Sequence, residues 1–473
     1  MEGDITGDIT HQDLRMENKS LQRNILLIAT LSSFLTPYMA SSVIVSLPSM
    51  AHDLSMKVIT QSWVSAGYLV AAAGFCVPFG RASDIFGRKR VFTIGIVLDI
   101  LASILGACAP TSGVLIVARV IQGIGGAMIF TLGMTIVTSV FPPEKRGRAL
   151  GIIIAAVYVG LSVGPLIGGI LTHHFGWRSI FLSNMVIGFV ILVATVWKLK
   201  PEWADARGEK FDYVGSSAYV ISLTLMMYGL SEMPTPSAFS LVALGALGIV
   251  LFVVWEGRVE SPVLEIRLFK RSRTFLFSNL AALVNYCATF SISFLVSLYL
   301  QYVKGFSAQT AGFILVSQPL IQAGFSPLAG RLSDRVEPRV VASIGMALTV
   351  IGLALFVLLT EATSLWLIIT NLMLLGLGFA LFSSPNTNAV MGSVEKRYIG
   401  VAGGTLATMR VAGQMLSMGG AMLMFALFHI SGVIITAAYH TQFLQSARMA
   451  FLVSAVLCLA GVFASLARGR KER

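Results

Sequence analysis

The chain has few charged residues and few cysteines for its length. Of its 473 residues, 12% are charged and 56% are hydrophobic, and the mean hydropathy is +0.82, which excludes a soluble globular protein of this size. No G-x-x-x-x-G-K-[ST] loop is present, so ATP-driven pumping by this chain alone is not expected. We also find no catalytic, cofactor or metal constellation, so an enzyme is not predicted. The four cysteines lack paired spacing and are interpreted as packing residues: Cys76, Cys108, Cys287 and Cys458.

Apolar runs of about 20 residues recur along the whole chain, and about 20 residues cross a bilayer of about 30 Å. The sequence predicts fourteen such transmembrane helices. With the N-terminus in the cytoplasm, most of the 34 lysines and arginines fall on the cytoplasmic side, which places both termini there. The net charge of +12 then reflects basic loops on an anionic leaflet, and nucleic acid is not implied. Residues 1–20 are polar and show no signal peptide. We expect a multi-pass cell-membrane protein.

A pentapeptide repeats within the chain. The segment GRASD at 80–84 recurs as GRLSD at 330–334, each at the end of an apolar run. Parallel halves are a known transporter plan, and two additional helices would account for the 250-residue offset. The predicted organisation is an N-terminal cytoplasmic tail (1–20), a six-helix bundle (21–200), a linker with two additional helices (201–273), a second six-helix bundle (274–468) and a cytoplasmic tail (469–473).

Residues 160–169 read GLSVGPLIGG and are the most informative segment of the chain. Gly160, Gly164 and Gly168 form one stripe of a helix, which lets a neighbouring helix pack against it backbone to backbone. Pro165 removes one rung of the hydrogen-bond ladder and allows a bend at the same place. Small residues at this spacing are common in membrane helices, but the full string is much rarer.

Four sets of motifs resemble those of the major facilitator superfamily, in particular its fourteen-helix drug:proton antiporters. They are GRASDIFGRKR at 80–90, the R-x-x-Q-G-x-G-G pattern at 119–126, the antiporter motif at 160–169, and the pairs Trp63…Tyr68 and Arg410…Gln414. The resemblance covers about residues 20–468. It implies an all-α membrane protein of two six-helix bundles plus two helices, and proton-coupled export by alternating access.

The resemblance also implies roles for charged residues. Asp84, at the end of the second helix, can pair with Arg88 or with a neighbouring helix end and act in gating. Arg119 lies inside the fourth helix, where an unpaired charge would cost several kcal/mol, so it is functional or paired. The family makes Arg119 a proton-relay partner, and a purely structural ion pair is the alternative.

The chain departs from the family at the first helix. Met39 occupies the position where the family usually carries an aspartate. The acidic residue remaining near mid-membrane is Asp99 on the third helix. A desolvated carboxylate can exchange protons near neutral pH and an arginine cannot, so Asp99 is the leading candidate for proton coupling and Asp84 the second. Asp99 and Arg119 lie at similar depths, about 12–16 Å from the outer turn, which suggests a pair. Alternatively, Asp99 neutralises another neighbour.

The family's central cavity is lined by the first and fourth helices and by their counterparts in the second half. The predicted substrate-binding residues are Tyr38, Met39, Ser42, Gln122, Met128, Asn285, Tyr286, Phe290, Asn386, Asn388 and Arg410. This aromatic and weakly polar set suits amphipathic compounds, and each residue alone is also compatible with ordinary helix packing. Two arginines without a carboxylate on these helices favour neutral, zwitterionic or anionic amphiphiles.

Three functions remain open at this stage. The first is a proton-driven exporter of small amphipathic molecules. The second is a carrier of a lipid or metabolite with weak or no proton coupling, which the methionine at the usual aspartate position favours. The third is a membrane sensor or scaffold that no longer transports. The expected partners are the substrate, protons and the lipid bilayer, and the chain is expected to be a monomer.

Overall fold

The computed structural model is all-helical in the residues that it describes, which are 5–141, 143–199, 202–204, 206–259, 262–264, 266–395 and 399–467. The helices of the first half are α1 (Ile5–Asp53), α2 (Val58–Phe86), α3 (Arg88–Ala107), α4 (Ser112–Val140), α5 (Pro143–Phe175) and α6 (Arg178–Lys198). Two helices follow, α7 (Tyr213–Ser231) and α8 (Pro236–Glu256). The second half contains α9 (Ile266–Arg271), α10 (Arg273–Thr289), α11 (Ser291–Leu298), α12 (Ala308–Leu315), α13 (Ser317–Arg335), α14 (Pro338–Val357), α15 (Leu365–Gly392), α16 (Ile399–Leu427) and α17 (His440–Leu466).

Twelve helical stretches among the described residues are long and apolar enough to cross a membrane. They include α1 from Ser20 onward, α2 to α8, α14 and α15, together with the continuous stretches Arg273–Val303 and Ala437–Leu466. The remaining two predicted spans correspond to α12–α13, which is interrupted at Val316, and to α16, which carries Arg410 in its interior. The chain is therefore a multi-pass membrane protein, and twelve of the fourteen predicted spans meet these criteria.

The structure describes one of the two predicted tails in part. Helix α1 begins at Ile5, within the segment predicted as an N-terminal tail, and its apolar span begins at Ser20. The predicted C-terminal tail 469–473 lies outside the described residues.

Equivalent close contacts hold together the helices of the two halves. Gly95 of α3 and Gly125 of α4 touch backbone to backbone, because a Cβ on Gly125 would lie 2.7 Å from the Gly95 carbonyl oxygen. Gly345 of α14 and Gly378 of α15 make the same contact at 2.8 Å. A stripe without side chains lets two helices approach this closely. The repeat visible in the pentapeptide therefore extends to the packing of the helix hairpins.

The glycine stripe of α5 packs against α1, as the sequence predicts for a neighbouring helix. A Cβ on Gly160 would lie 2.6 Å from the Phe34 carbonyl oxygen, and one on Gly164 would lie 2.8 Å from that of Tyr38. Further along α5, the glycines reach the other half. A Cβ on Gly169 would lie 2.7 Å from the Ala308 carbonyl oxygen, and one on Gly312 would lie 2.2 Å from that of Pro165. Helix α5 is thus packed backbone to backbone against both halves.

The two halves are joined mainly at one end of the bundle. We call it the far end and define it by the loops 54–57, 304–307 and 428–436, and we call the opposite end, at the loops 87 and 199–212, the basic end. In the described part of the chain, five hydrogen bonds join the halves on the far-end side. Two of them run from the backbone N–H groups of Val58 and Ile59, in the first turn of α2, to carbonyls of the loop after α16, at 2.9 and 3.1 Å.

A proline in α1 explains one of the other three hydrogen bonds between the halves. Pro48 has no N–H, so the Ile44 carbonyl has no donor within α1. Ser297 of α11 donates to this carbonyl at 3.1 Å. Gln301 donates to the neighbouring Val45 carbonyl at 2.9 Å from a short π-helical turn, Tyr299–Val303. A π-helical turn changes the direction of the side chains that follow it, and turns of this kind frequently lie at functional sites.

Candidate functional site

A cavity of about 850 Å³, counted with its solvent-open part, lies between the two halves. It is lined by Ala40, Ser41, Ile44, Val45, Leu161, Pro165, Tyr286, Thr289, Phe290, Ser293, Leu315, Gln318, Pro319, Gln322, Phe379, Arg410 and Gln414. These residues come from α1 and α5 in the first half and from six helices in the second, α10 to α13, α15 and α16. Most are apolar, aromatic or uncharged polar, which suits an amphipathic organic molecule. Arg410 is the one charged side chain among them.

Two helix interruptions lie at this cavity. Helix α10 gives way to α11 at Phe290, where the backbone N–H of Ser291 donates to the Ser417 hydroxyl at 3.0 Å. Helix α12 gives way to α13 at Val316, three residues before Pro319, which removes a hydrogen bond to the Leu315 carbonyl. Discontinuous helices often form the substrate sites of transporters because their irregular backbone faces the cavity.

The structure places three of the eleven predicted substrate-binding residues at the cavity wall: Tyr286, Phe290 and Arg410. Tyr286 and Phe290 lie four residues apart and therefore project from the same side of the helix. The guanidinium carbon of Arg410 lies 5.0 Å from the centre of the Tyr286 ring. These three residues form the part of the predicted site that the structure brings together.

Five predicted residues of the first half lie away from the cavity wall. Tyr38 shares a hydrogen bond of 2.7 Å with Ser183 of α6, and Ser42 donates to the Gly164 carbonyl at 2.9 Å. Met39 is buried in the apolar core. Met128 fills the space beside Gly95, because a Cβ added to Gly95 would lie 2.6 Å from the Cβ of Met128. Gln122 lies within a polar network described below. These side chains hold helices together.

The three asparagines of the set are also absent from the lining. Asn388 donates to Ser333 of α13 at 3.0 Å, within the second half. Asn285 is fully buried, and neither atom of its amide has a hydrogen-bond partner among the described residues. The amide oxygen of Asn386 is also buried and has no hydrogen-bond partner among the described residues. Buried polar groups are normally satisfied, so these two amides mark places where the second half retains unused hydrogen-bonding capacity.

Sequence reasoning missed the glutamine side of the cavity. Gln318 and Gln322 lie one helical turn apart on α13, and Gln414 lies one turn after Arg410 on α16. The spacing of four between paired amides in an apolar helix could have indicated one polar face. Near mid-depth, the Tyr158 hydroxyl of α5 shares a hydrogen bond of 2.8 Å with Ser383 of α15 and joins the halves.

A second polar cluster is buried inside the first half. The Asn184 amide of α6 donates to the Asp99 carboxylate at 2.8 Å and to the Ser103 hydroxyl at 2.9 Å. Gln122 of α4 donates to the same hydroxyl at 3.1 Å and accepts from Arg119. Among the described residues no ion pair joins Asp99 to Arg119. A glutamine, a serine and an asparagine connect the two charges within one hydrogen-bond network.

Arg119 is 1% exposed and has acceptors of its own. Its Nε donates to the Val64 carbonyl at 3.1 Å, and its guanidinium carbon lies 4.5 Å from the centre of the Tyr68 ring. Its neighbours on α4 bring α2 close: a Cβ on Gly123 would lie 2.4 Å from the Tyr68 carbonyl oxygen. The R-x-x-Q-G-x-G-G pattern thus packs α4 against α2 and α3 and places a buried charge between them.

A third cluster lies at the basic end. Arg88 donates to the Asp84 carboxylate from two nitrogens, at 2.7 and 3.0 Å, which confirms the first of the two predicted pairings. The segment after α6 covers this pair, because the Ala206 N–H donates to the Asp84 carbonyl at 2.9 Å. Gly87 adopts φ 110°, a conformation that favours glycine, and its open side faces Glu202.

Asp84→Asn is expected to reduce transport at least tenfold with little loss of stability. The Asp84–Arg88 pair is partly exposed, so its loss costs about 1 kcal/mol or less. Transport rate and melting temperature should be compared with those of Glu209→Gln, which removes the neighbouring pair to Arg81. Parent-like transport by Asp84→Asn would contradict a gating role.

The sequence model of the Major Facilitator Superfamily matches residues 29–418 and 278–473. The chain belongs to this superfamily. Among its relatives, the riboflavin transporter RibZ of Clostridioides difficile (strain 630) is 29% identical over 389 residues, covering 82% of this chain and 84% of RibZ. The multidrug resistance protein Stp of Mycobacterium tuberculosis (strain CDC 1551 / Oshkosh) is 31% identical over 396 residues, covering 82% and 73%.

Solved structures agree on the fold of the superfamily. The human organic anion transporter MFSD10 (TETRAN) matches with a TM-score of 0.66 at 15% identity, over 94% of this chain and 99% of that one. A bacterial homologue of the human lysosomal transporter Spinster, in an inward-facing and unoccupied conformation, matches with a TM-score of 0.64 at 17% identity, over 95% and 97%. The protein is therefore an all-helical major facilitator transporter for small molecules.

Proposed function

We propose that the chain is a secondary-active exporter of amphipathic small molecules that works by alternating access. The cavity between the halves carries this proposal, because both halves line it and their contacts concentrate at the far end. The far end of the cavity is closed in this structure, and a second arrangement of the two halves would open it. Such a pair of arrangements is what an alternating-access carrier requires. The 31% identity to a protein named for multidrug resistance supports export as the direction.

We further propose that protons drive the transport through Asp99. This carboxylate is 5% exposed and receives hydrogen bonds from a neutral amide rather than from a cation. It lies in the same hydrogen-bond network as Arg119. A change in the charge of Asp99 would therefore alter hydrogen bonds that involve α2, α4 and α6. Buried carboxylates with polar neighbours are the usual proton relays of membrane transporters.

A weakly coupled carrier of a metabolite is the second candidate. The observation that favours it is the apolar Met39 on α1, at the position where the family usually carries an aspartate. The 29% identity to a riboflavin transporter points the same way. In that case Asp99 would stay a structural acceptor for Asn184.

Proton movement in proteoliposomes separates the two functions. Purified protein is reconstituted with a pH-sensitive dye in the lumen, and candidate substrates are added under an imposed pH gradient. The exporter proposal expects substrate transport accompanied by proton movement in the opposite direction. Transport without proton movement would favour the weakly coupled carrier, and no transport of any compound would contradict both.

We also propose that α12–α13 and α16 cross the membrane, which makes fourteen spans with both termini and the basic end in the cytoplasm. Both stretches are as long as the other spans and pack among them. Basic loops at one end support the orientation.

Single cysteines should test this topology in a variant without the native cysteines. Thr235→Cys and Gly305→Cys, which both lie in exposed far-end loops, are expected to react with an impermeant maleimide added outside intact cells. Lys210→Cys and Val336→Cys, which are exposed at the basic end, should react only after permeabilisation. Reaction of residues 305 and 336 from the same side would exclude a span at α12–α13.

A further inference from the structure

Arg410 is a half-buried charge without a counter-charge among the residues that the structure describes. It lies in the interior of α16 and lines the cavity. Its Nε is buried and has no hydrogen-bond partner in the described part of the chain, where no ion pair of Arg410 is found either. Two aromatic rings lie near the charge instead: the guanidinium carbon is 5.0 Å from the Tyr286 ring centre and 6.0 Å from that of Phe130.

Arg119 provides the internal comparison. Both arginines are in the interior of a helix and both lie over a tyrosine ring. Arg119 also has a carbonyl and an amide oxygen as acceptors, and it lies away from the cavity wall. Arg410 has no such acceptor among the described residues, and it faces the space in which a ligand would sit. An intramembrane charge is costly unless it is paired, so the partner of Arg410 is expected to come from the cavity.

The surroundings of Arg410 select the chemistry of that partner. A guanidinium is planar and pairs with a carboxylate through two parallel hydrogen bonds. Gln414 and Gln322 line the same cavity and can donate further hydrogen bonds. Tyr286 and Phe290 offer aromatic surface beside the charge. A cation in the same place would be repelled, because none of the lining residues carries a negative charge.

We propose that the cavity binds aromatic organic anions, with the ligand's carboxylate paired to Arg410 and its ring system against Tyr286 and Phe290. This inference rests on the proposed transport function and names its substrate class. Phe130 of the first half lies on another side of Arg410, with its ring centre 6.0 Å from the guanidinium carbon. Closure of the halves around an anion would bring Phe130 and Arg410 together on it.

Two dyes of the same shape and opposite charge test the proposal. Fluorescein carries a free carboxylate on a pendant phenyl group. Rhodamine 123 shares the fused-ring skeleton, but its carboxylate is esterified and the molecule is a cation. Binding to the purified full-length protein is followed by fluorescence polarisation, and transport of each dye is followed in proteoliposomes. We expect the parent to bind fluorescein at least tenfold more tightly than rhodamine 123.

Three variants separate charge, geometry and folding. Arg410→Gln should weaken fluorescein binding at least tenfold and leave rhodamine 123 binding unchanged or stronger. Arg410→Lys should lie between the parent and Arg410→Gln, because it keeps the charge and loses the planar fork. Lys57→Gln removes one positive charge from an exposed loop and should bind both dyes as the parent does. Melting temperatures of the three variants show whether each is folded.

The outcomes distinguish this inference from the transport proposal. Unchanged fluorescein binding by folded Arg410→Gln, or tighter binding of rhodamine 123 by the parent, overturns the anion site. If the parent also transports rhodamine 123, the exporter proposal stands without the anion site. If the parent binds and moves neither dye, the anion site is overturned, and the proton measurements described above decide the transport function independently.

Discussion

Gly164→Val is expected to abolish transport. A Cβ at this position would lie 1.9 Å from the Ser41 hydroxyl and 2.8 Å from the Tyr38 carbonyl oxygen, both on α1. The hydroxyl can rotate away, but the carbonyl is backbone, so α5 and α1 must separate. Overpacking of this kind costs about 1–3 kcal/mol. Moving α5 away from α1 would also disturb the contact between Gly169 of α5 and Ala308 of the other half.

Gly151 supplies the matched control on the same helix. A Cβ on Gly151 meets nothing within 4 Å, so Gly151→Val should transport at close to the parent rate. The double variant Gly164→Ala/Ser41→Gly should transport more than Gly164→Val and less than the parent. It removes the overlap with the Ser41 hydroxyl and keeps the overlap with the Tyr38 carbonyl oxygen. Initial transport rates in proteoliposomes, normalised to the folded protein recovered, are the measurement. Equal rates for Gly164→Val and Gly151→Val would show that the close crossing is not required.

Asp99→Asn is expected to remove the pH dependence of transport while substrate exchange continues. The asparagine can still accept from Asn184, so the network keeps its geometry and loses only the group that exchanges protons. Transport should be measured under opposing pH gradients, and exchange should be measured at equal pH on both sides. We expect at least a tenfold loss in the first measurement and less than a twofold change in the second.

Two comparisons sharpen this prediction. Arg119→Ala should impair both gradient-driven transport and exchange, because it removes the contacts to Val64 and Gln122 together. Glu232→Gln changes an exposed carboxylate at the far end and should affect neither. An undiminished response of Asp99→Asn to pH would exclude Asp99 as the proton carrier and favour the weakly coupled candidate.

The sequence predicts contacts well where a local pattern determines them. Glycines every fourth residue in 160–169 indicate a close helix crossing, and the structure confirms it. The Asp84–Arg88 pair joins two residues four positions apart, on either side of the turn at Gly87. Tyr286 and Phe290, both among the predicted substrate-binding residues, also lie four positions apart and both line the cavity. Each of these contacts joins residues that are close together along the chain or depends on a repeat within one helix.

The remaining predictions required knowledge of which face of a helix meets which neighbour. Helices in a membrane are apolar all around, so their patterns do not reveal the buried direction. Met128 was expected at the cavity, but the missing side chain of Gly95 leaves room for it between α3 and α4. Asp99 and Arg119 are predicted at similar depth, yet Asp99 accepts from Asn184 of α6 and Arg119 donates to Gln122. The spacing of these residues along the chain does not show which neighbour each side chain contacts.

The hydrogen bonds at the far end have a consequence for the resting protein. Five of them join the halves there, and each contributes about 1 kcal/mol net, or about 5 kcal/mol together. Unless contacts formed at the basic end offset this difference, the form closed at the far end outnumbers its alternative by about three to four orders of magnitude. An empty carrier would therefore rarely change sides. Under the proposed proton coupling, futile cycling would be slow, and the proton gradient would be consumed mainly when a ligand is present to shift the balance.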